Sequence, residues 1–134
     1  MRVMLDTNVL AAAAATRGLC ADVLRAVLAE HKMVICPQII SELQRVLKDK
    51  FALPGTLIND YVRLIQQDSI PCEPGDPPVT KLKDKDDLGI LSAAIGGKVD
   101  VLVTGDKELQ RVGMVAAVKI MSPREFWQEL VECG

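Results

Sequence analysis

The feature that most constrains this sequence is the alternation of short aliphatic runs with longer segments of helical periodicity. Four runs have the character of buried β-strands, namely Arg2–Leu5, 33–36, Val101–Val103 and Val118–Met121. Strands that alternate with helices form a parallel sheet with right-handed crossover connections. Only 3% of the residues are aromatic, so the core must be aliphatic, which suits a sheet covered on both faces. We therefore predict an α/β fold, a three-layer α/β/α sandwich with a central parallel sheet.

Capping signals and helix-breaking residues mark the boundaries between these elements. Apolar periodicity predicts helices over about residues 19–30, 39–47, 57–65 and 84–96. Thr56 is the expected N-cap of the third helix. Ser122 and Glu125 form a capping box that opens a last helix. Residues 69–83 are rich in proline and predict the longest loop, with a short strand at its start. The 134 residues contain no repeat or linker, so a single domain over 1–134 is expected.

The charge balance leaves the question of nucleic-acid binding open. The net charge is −2 at pH 7, whereas a dedicated nucleic-acid binder usually carries a basic surface. Either the chain does not bind nucleic acid, or bound metal ions offset some of its acidic residues.

The four cysteines form neither a zinc motif nor a disulfide framework. None belongs to a Cys-x-x-Cys pair, and the single histidine, His31, has no patterned partner. The sequence lacks the pattern of a signal peptide, and the apolar stretch near its N terminus is too short to span a bilayer. We therefore expect a cytoplasmic protein with reduced thiols and no membrane association.

Four acidic residues occupy positions that can meet at one edge of the predicted sheet. Asp6 follows the first strand and Asp106 follows a later one, while Glu42 and Asp87 lie in the first turns of helices. In open parallel sheets, ligands bind outside the carboxyl ends of the strands. We therefore expect the four carboxylates to surround one cavity.

Carboxylates gathered in one place favour a hard divalent cation between them. Without a cation they repel one another and their pKa values rise. Oxygen ligands select Mg²⁺ or Mn²⁺ over softer metals. Such a site polarises a phosphoryl oxygen, generates hydroxide from water and steadies the leaving oxygen, so it points to phosphodiester hydrolysis. Asp84 is expected at the rim of this site, and Asp86 is expected to point away, because adjacent positions of a helix face different directions.

Four segments of the sequence occur in the order typical of one protein family. They read MLDTNVL, PQIISELQRVL, DKDDLGILSAA and VDVLVTGDKEL. Together they resemble the PIN-domain family of nucleases, and they look most like the prokaryotic branch of toxin components from toxin–antitoxin pairs. The resemblance extends from residue 2 to about residue 125. It implies a Rossmann-like fold, Mg²⁺ or Mn²⁺ as cofactor, and endonuclease activity on RNA.

The resemblance also implies a role for individual residues. The catalytic and metal-binding acids would be Asp6, Glu42, Asp87 and Asp106. Asn8 and Thr104 would support them. The family commonly has Asp-Pro-x-Asp before the third of these acids, and here Lys85 replaces the proline, so we align Asp84 with the first acid of that pair and Asp87 with the second.

Basic residues near the motifs are candidates for contacts with phosphate groups, which position a nucleic acid on a protein. The candidates are Arg17, Lys81, Lys83, Lys85, Lys107 and Arg111. Toxin-type relatives are typically homodimers whose antitoxin inserts a segment over the active site. The resemblance therefore implies an RNA substrate, an antitoxin partner and a second copy of the chain.

Two other functions compete with that of a metal-dependent endoribonuclease. One is a PIN-type module that binds RNA or protein with little or no catalysis, and the retention of all four acids argues against it. The other is an aspartyl-phosphate phosphatase, a class that needs Asp-x-Asp after its first strand. Here Asp6 is followed by Thr7 and Asn8, so this class is rejected.

Overall fold

A six-stranded sheet forms the centre of the molecule in a computed structural model that describes residues 1–75 and 82–133. Its strands are β1 (Arg2–Leu5), β2 (Lys32–Ile35), β3 (Ser69–Pro71), β4 (Val101–Val103), β5 (Met114–Val115) and β6 (Val118–Met121). They lie in the order β3-β2-β1-β4-β6-β5. Neighbouring strands are parallel except for β5, which pairs antiparallel with β6. The predicted α/β class is confirmed, and the sheet is mostly rather than entirely parallel.

Helices flank this sheet, as the sequence predicted. They are α1 (Thr7–Ala15), α2 (Leu19–Glu30), α3 (Pro37–Asp49), α4 (Gly55–Gln67), α5 (Lys85–Gly96), α6 (Lys107–Val112) and α7 (Pro123–Cys133). Helix α1 was not predicted, because its run of alanines is apolar on every side and shows no amphipathic period. Within the described ranges, no helix is both long and apolar enough to cross a membrane.

Two details between α3 and α5 bear on the predicted boundaries. Helix α4 begins at Gly55 with Pro54 as its N-cap, so Thr56 lies inside the first turn and the predicted cap was wrong. The short strand expected at the start of the long loop is β3. Residues 76–81 of that loop, including Lys81, lie outside the described residues.

The direction of the chain across the sheet reverses at β1. From β1 the chain first builds β2 and β3 on one side, and later β4 and β6 on the other. Leu5 at the end of β1 is paired with Val103 at the end of β4. The backbone N–H of Asp6 donates to the carbonyl of Val103 at 2.9 Å, which keeps the two strand ends together. Such a reversal point opens a crevice at the carboxyl ends of the strands, where α/β proteins bind ligands.

Buried polar side chains are concentrated at this crevice. The core is aliphatic, with Val3, Leu43 and Leu102 fully buried. Among the described residues, the buried polar or charged side chains are those of Asp6, Thr7, Ser92 and Thr104. Burying a polar group costs free energy unless it is hydrogen-bonded. Three of these four residues come directly after β1 or β4. Packing of the core does not explain polar groups at these strand ends, so they indicate a functional site.

Candidate active site

Asp6 lies at the end of β1 and is only 6% exposed. It is the N-cap of α1, since its Oδ1 atom accepts a hydrogen bond from the backbone N–H of Thr7 at 2.7 Å. Its Oδ2 atom accepts one from the hydroxyl of Thr104 at 2.7 Å. Burial raises the pKa of Asp6 above its ordinary value, and these two hydrogen bonds partly offset the rise. The carboxylate is therefore fixed in orientation and costly to keep charged.

Thr104 joins Asp6 to the second acid that follows a strand. Its hydroxyl oxygen also accepts the backbone N–H of Asp106 at 3.0 Å, and its carbonyl accepts the side-chain amide of Gln110 at 2.8 Å. Asp106 is the N-cap of α6, and its Oδ1 atom accepts the N–H of Glu108 at 2.8 Å. The hydroxyl predicted to support the acids thus connects two of them through direct hydrogen bonds.

Glu42 reaches the same region from α3. One carboxylate oxygen, Oε2, accepts the hydroxyl of Thr7 at 2.9 Å. The other, Oε1, accepts the side-chain amide of Gln38 at 3.1 Å. The Gln38 amide also donates to the carbonyl of Asp86 at 3.0 Å. Both oxygens of Glu42 are therefore oriented by donors that come from different directions.

The start of α5 adds three more acids. Asp84 is the N-cap, and its Oδ1 atom accepts the N–H groups of Asp86 at 2.8 Å and Asp87 at 3.3 Å. The pKa of Asp87 is raised to about 6, first by burial and then by the negative charges of Asp106, Asp84, Asp6 and Asp86. The negative charges of these neighbouring acids therefore add to the effect of burial on Asp87.

These acids line a single cavity of about 210 Å³. Its acidic lining consists of Asp6, Glu42, Asp84, Asp86, Asp87 and Asp106, and Asn8 also borders it. The four acids singled out from the sequence are therefore brought together, with Asp84 beside them. Asp86 borders the cavity as well, and the outward direction predicted for its side chain stays a prediction. Gln38 holds the carbonyl of Asp86 against α3, which keeps this residue beside the cavity.

Only some of the basic residues predicted near the site lie beside it. Lys83 is exposed and lines an adjoining cavity of about 400 Å³ together with three of the acids and Glu108. Arg17 lines a separate cavity at the C-terminal end of α1. The acids lie at the opposite end of that helix, about 13 Å away for a helix of this length. The structure therefore does not bring Arg17 to the acids.

Three other basic residues lie outside the lining of the acid cavity. Lys85 and Lys107 are exposed at the first positions of α5 and α6. Arg111 is exposed and pairs with Glu108 at 2.7 Å. The cation that does line the cavity is Arg45 on α3, which the sequence analysis missed. Its position three residues after Glu42 places it on the same helix face, and this spacing was the available signal.

The donor set of the cavity suits a hard cation. It offers carboxylate oxygens, which Mg²⁺ and Mn²⁺ prefer, and the charges of neighbouring acids add to burial in raising the pKa of Asp87. In the part of the chain that the structure describes, however, no three Asp, Glu, His or Cys side chains already stand close enough together to hold a metal ion. The carboxylates are therefore suitable ligands for such an ion, but their side chains would have to turn inward to bind it.

Comparison with known families places the chain in one of them. The family model of the PIN domain matches residues 2–108, which is most of the chain and includes all four acids. The chain belongs to the PIN-domain family, whose members are generally nucleases. A search of curated proteins finds no match.

Two solved structures contain chains with a similar fold. One is the crystal structure of VapBC2 from Rickettsia felis bound to a DNA fragment from their promoter. Its chain matches with a TM-score of 0.64 and 15% identity, over 91% of this chain and 98% of that chain. The other is FitAcB from Neisseria gonorrhoeae, with a TM-score of 0.59 and 18% identity over the same shares. At these identities the likeness concerns the fold.

Proposed function

We propose that this protein is an endoribonuclease that depends on Mg²⁺ or Mn²⁺ and hydrolyses RNA phosphodiester bonds. The observation that carries the proposal is the convergence of Asp6, Glu42, Asp87 and Asp106 on one cavity. They come from four separate segments, and the cavity lies at the sheet edge where α/β proteins bind ligands. Membership of a family of nucleases supports the same reaction class.

The chain's own residues would orient the site for this reaction. Asp6, Glu42 and Asp106 accept hydrogen bonds from neighbouring groups, which orient their carboxylates beside the cavity, and the side chains would turn inward when a cation binds. A divalent cation, when bound, would supply a Lewis acid for the phosphoryl oxygen and would stabilise charge on the leaving oxygen. Arg45 and Lys83 border the acidic surface and would contact phosphates on either side of the scissile bond.

A cleavage assay tests this proposal directly. Purified protein is incubated with RNAs of varied sequence in Mg²⁺, in Mn²⁺ or with a chelator, and we expect cleavage only with metal. Asp106→Asn should abolish cleavage and still fold, because asparagine is also a good N-cap for α6. The matched control is Asp60→Asn, which removes an exposed acid on α4. Equal activity in Asp106→Asn and Asp60→Asn would show that the proposed site is wrong.

A second candidate is a PIN-type module that binds RNA or protein with little or no catalysis. One observation favours it, namely that no three ligands in the described part of the chain are already at metal-binding positions. The two functions differ in their response to metal. A nuclease should show a rise in melting temperature with Mn²⁺, which binds the folded form, and Asp6→Asn should remove most of that rise. A binding module should show neither the rise nor cleavage.

We further propose that the protein is the toxin of a toxin–antitoxin pair and acts as a homodimer in the cytoplasm, where its RNA substrate lies. The resemblance of its four sequence segments to toxin components supports this role, and the similar folds occur in structures of VapBC2 and FitAcB. A small protein should co-purify with the chain from its native source, and the complex should cleave RNA more slowly than the chain alone. Light scattering that shows a monomer at micromolar concentration would remove the dimer without affecting the nuclease.

A further inference from the structure

We infer that Gln38 is a positioning residue that couples Glu42 to the start of α5. We also infer that Gly89 is present on α5 because the Gln38 amide occupies the space where a side chain would lie. The inference rests on the proposed function, since it assigns Gln38 a part in arranging the acids of that site. Gln38 itself does not line the acid cavity.

The first support is the pair of hydrogen bonds from a single amide group. Gln38 Nε2 donates to Glu42 Oε1 at 3.1 Å and to the carbonyl of Asp86 at 3.0 Å. A glutamine amide has two N–H donors, so both bonds can exist together. Glu42 lies one turn further along the same helix, whereas Asp86 lies 48 residues away on α5. The amide therefore links Glu42 on α3 to the start of α5.

The second support is independent and comes from Gly89. A Cβ atom built on Gly89 would lie 2.3 Å from Gln38 Oε1 and 3.2 Å from its Cδ atom. The glutamine amide thus packs directly over the backbone of α5. Glycine inside a helix lowers stability relative to alanine, so its presence at this position needs a cause. The close approach of the amide supplies one.

The consequence for Glu42 follows from its other partner. Thr7 holds Oε2 at 2.9 Å, and Gln38 holds Oε1. Without the Gln38 bond, the Thr7 hydroxyl is the one donor to Glu42 that remains among the described residues, and the carboxylate can rotate about that contact. The Oε1 atom would then no longer be linked through the Gln38 amide to the start of α5, where Asp87 lies.

The experiment uses the affinity for Mn²⁺ in the unmodified protein, Gln38→Ala, Gly89→Ala and the double variant. Calorimetric titration should show binding weakened about 10-fold in each single variant, as is usual when a partner that orients a metal ligand is removed. The double variant should be no worse than either single one, because both changes remove the same contact. The control is Gln44→Ala, which changes the same residue type on the same helix beside a different cavity.

Thermal unfolding separates positioning from a purely structural role. Gly89→Ala should not lower the melting temperature, because alanine favours the helix and only the flexible end of Gln38 must move. Weaker Mn²⁺ binding in a variant that is equally stable identifies positioning. Unchanged Mn²⁺ affinity in Gln38→Ala, or additive losses in the double variant, would overturn the inference and leave the nuclease proposal intact.

Failure of the proposed function itself has a different signature. An unmodified protein that binds no Mn²⁺ would overturn the metal-dependent nuclease. The coupling is then decided by NMR of the metal-free protein, in which Gly89→Ala should shift both the side-chain amide resonances of Gln38 and the carboxyl resonance of Glu42. Unmoved resonances would show that Gln38 does not position Glu42.

Discussion

The two ends of helix α5 meet very different surroundings. At the C-terminal end, Leu91 and Ala94 are fully buried, and the carbonyl of Ser92 accepts the N–H of Gly75 at 3.1 Å. A Cβ atom on Gly96 would lie 2.7 Å from the carbonyl oxygen of Glu73. Backbone therefore packs against backbone at this end, with no room for even one added methyl group.

The N-terminal end of the same helix carries acidic side chains that are exposed or only half-buried. Asp84 and Asp86 are exposed and Asp87 is half-buried, and their mutual repulsion contributes to the raised pKa of Asp87. Close approach here involves the flexible Gln38 side chain over Gly89. The packing of the C-terminal end thus stabilises the helix, whereas the repulsion among the acids at the N-terminal end destabilises it. Functional sites commonly occupy such less stable regions.

The largest expected effect separates catalysis from folding at the N-terminal end. Asp87→Asn should lower RNA cleavage by about 1000-fold, which corresponds to about 4 kcal/mol of transition-state stabilisation. The melting temperature should not fall, since the change relieves repulsion among like charges. Single-turnover cleavage and thermal unfolding measure the two effects. An unfolded Asp87→Asn protein would make Asp87 a structural residue, and full activity would remove it from the site.

Two glycines of α5 provide a direct comparison of its ends. Gly96→Ala should lower the free energy of unfolding by about 1–3 kcal/mol, because the new methyl group must displace backbone. Gly89→Ala should leave it unchanged or raise it by up to about 1 kcal/mol, because alanine is the better helix former. Urea unfolding of both variants checks the pair. Equal losses would mean that the two ends are packed alike.

The sequence alone was enough to predict which elements carry the four acids. The positions of Asp6 and Asp106 after strands, and of Glu42 and Asp87 at helix starts, follow from hydrophobic periodicity and chain direction. These are local signals, and they were sufficient to predict that the four acids lie at one edge of the sheet. Helix α1 left no such signal, because its residues after Asn8 are apolar on all sides.

Contacts between distant segments could not be predicted in the same way. The hydrogen bond between Gln38 and the carbonyl of Asp86 depends on how α3 and α5 pack, so it left no local signal in the sequence. Arg17 looked close to the first motif in sequence, yet the length of α1 separates it from the acids. Strand β5 contains only two residues, which is too short for a period of two to be visible.

A third prediction concerns the pH dependence of stability in the presence of a chelator. The pKa of Asp87 is about 6 in the folded protein, against an ordinary value of 3.8, so folding favours the protonated form. The stabilising contribution of that proton is complete below the ordinary pKa and is lost as the pH rises through the folded value. Asp87→Asn should therefore gain melting temperature over the unmodified protein between pH 3.8 and about 6. A constant gap over this range would contradict the raised pKa.

The smallest effect tests how much stability the N-terminal end of α5 itself contributes. Asp84 caps this helix through its bonds to the N–H groups of Asp86 and Asp87. Asp84→Ala should cost about 1 kcal/mol, whereas Asp84→Ser keeps a capping oxygen and should cost only a few tenths. Both variants remove the same negative charge, so chemical denaturation of the two isolates the cap from the charge. Equal losses would mean that the carboxylate acts through the helix dipole. No loss in either variant would mean that the bond from Gln38 to Asp86 holds the start of α5 without help from a cap.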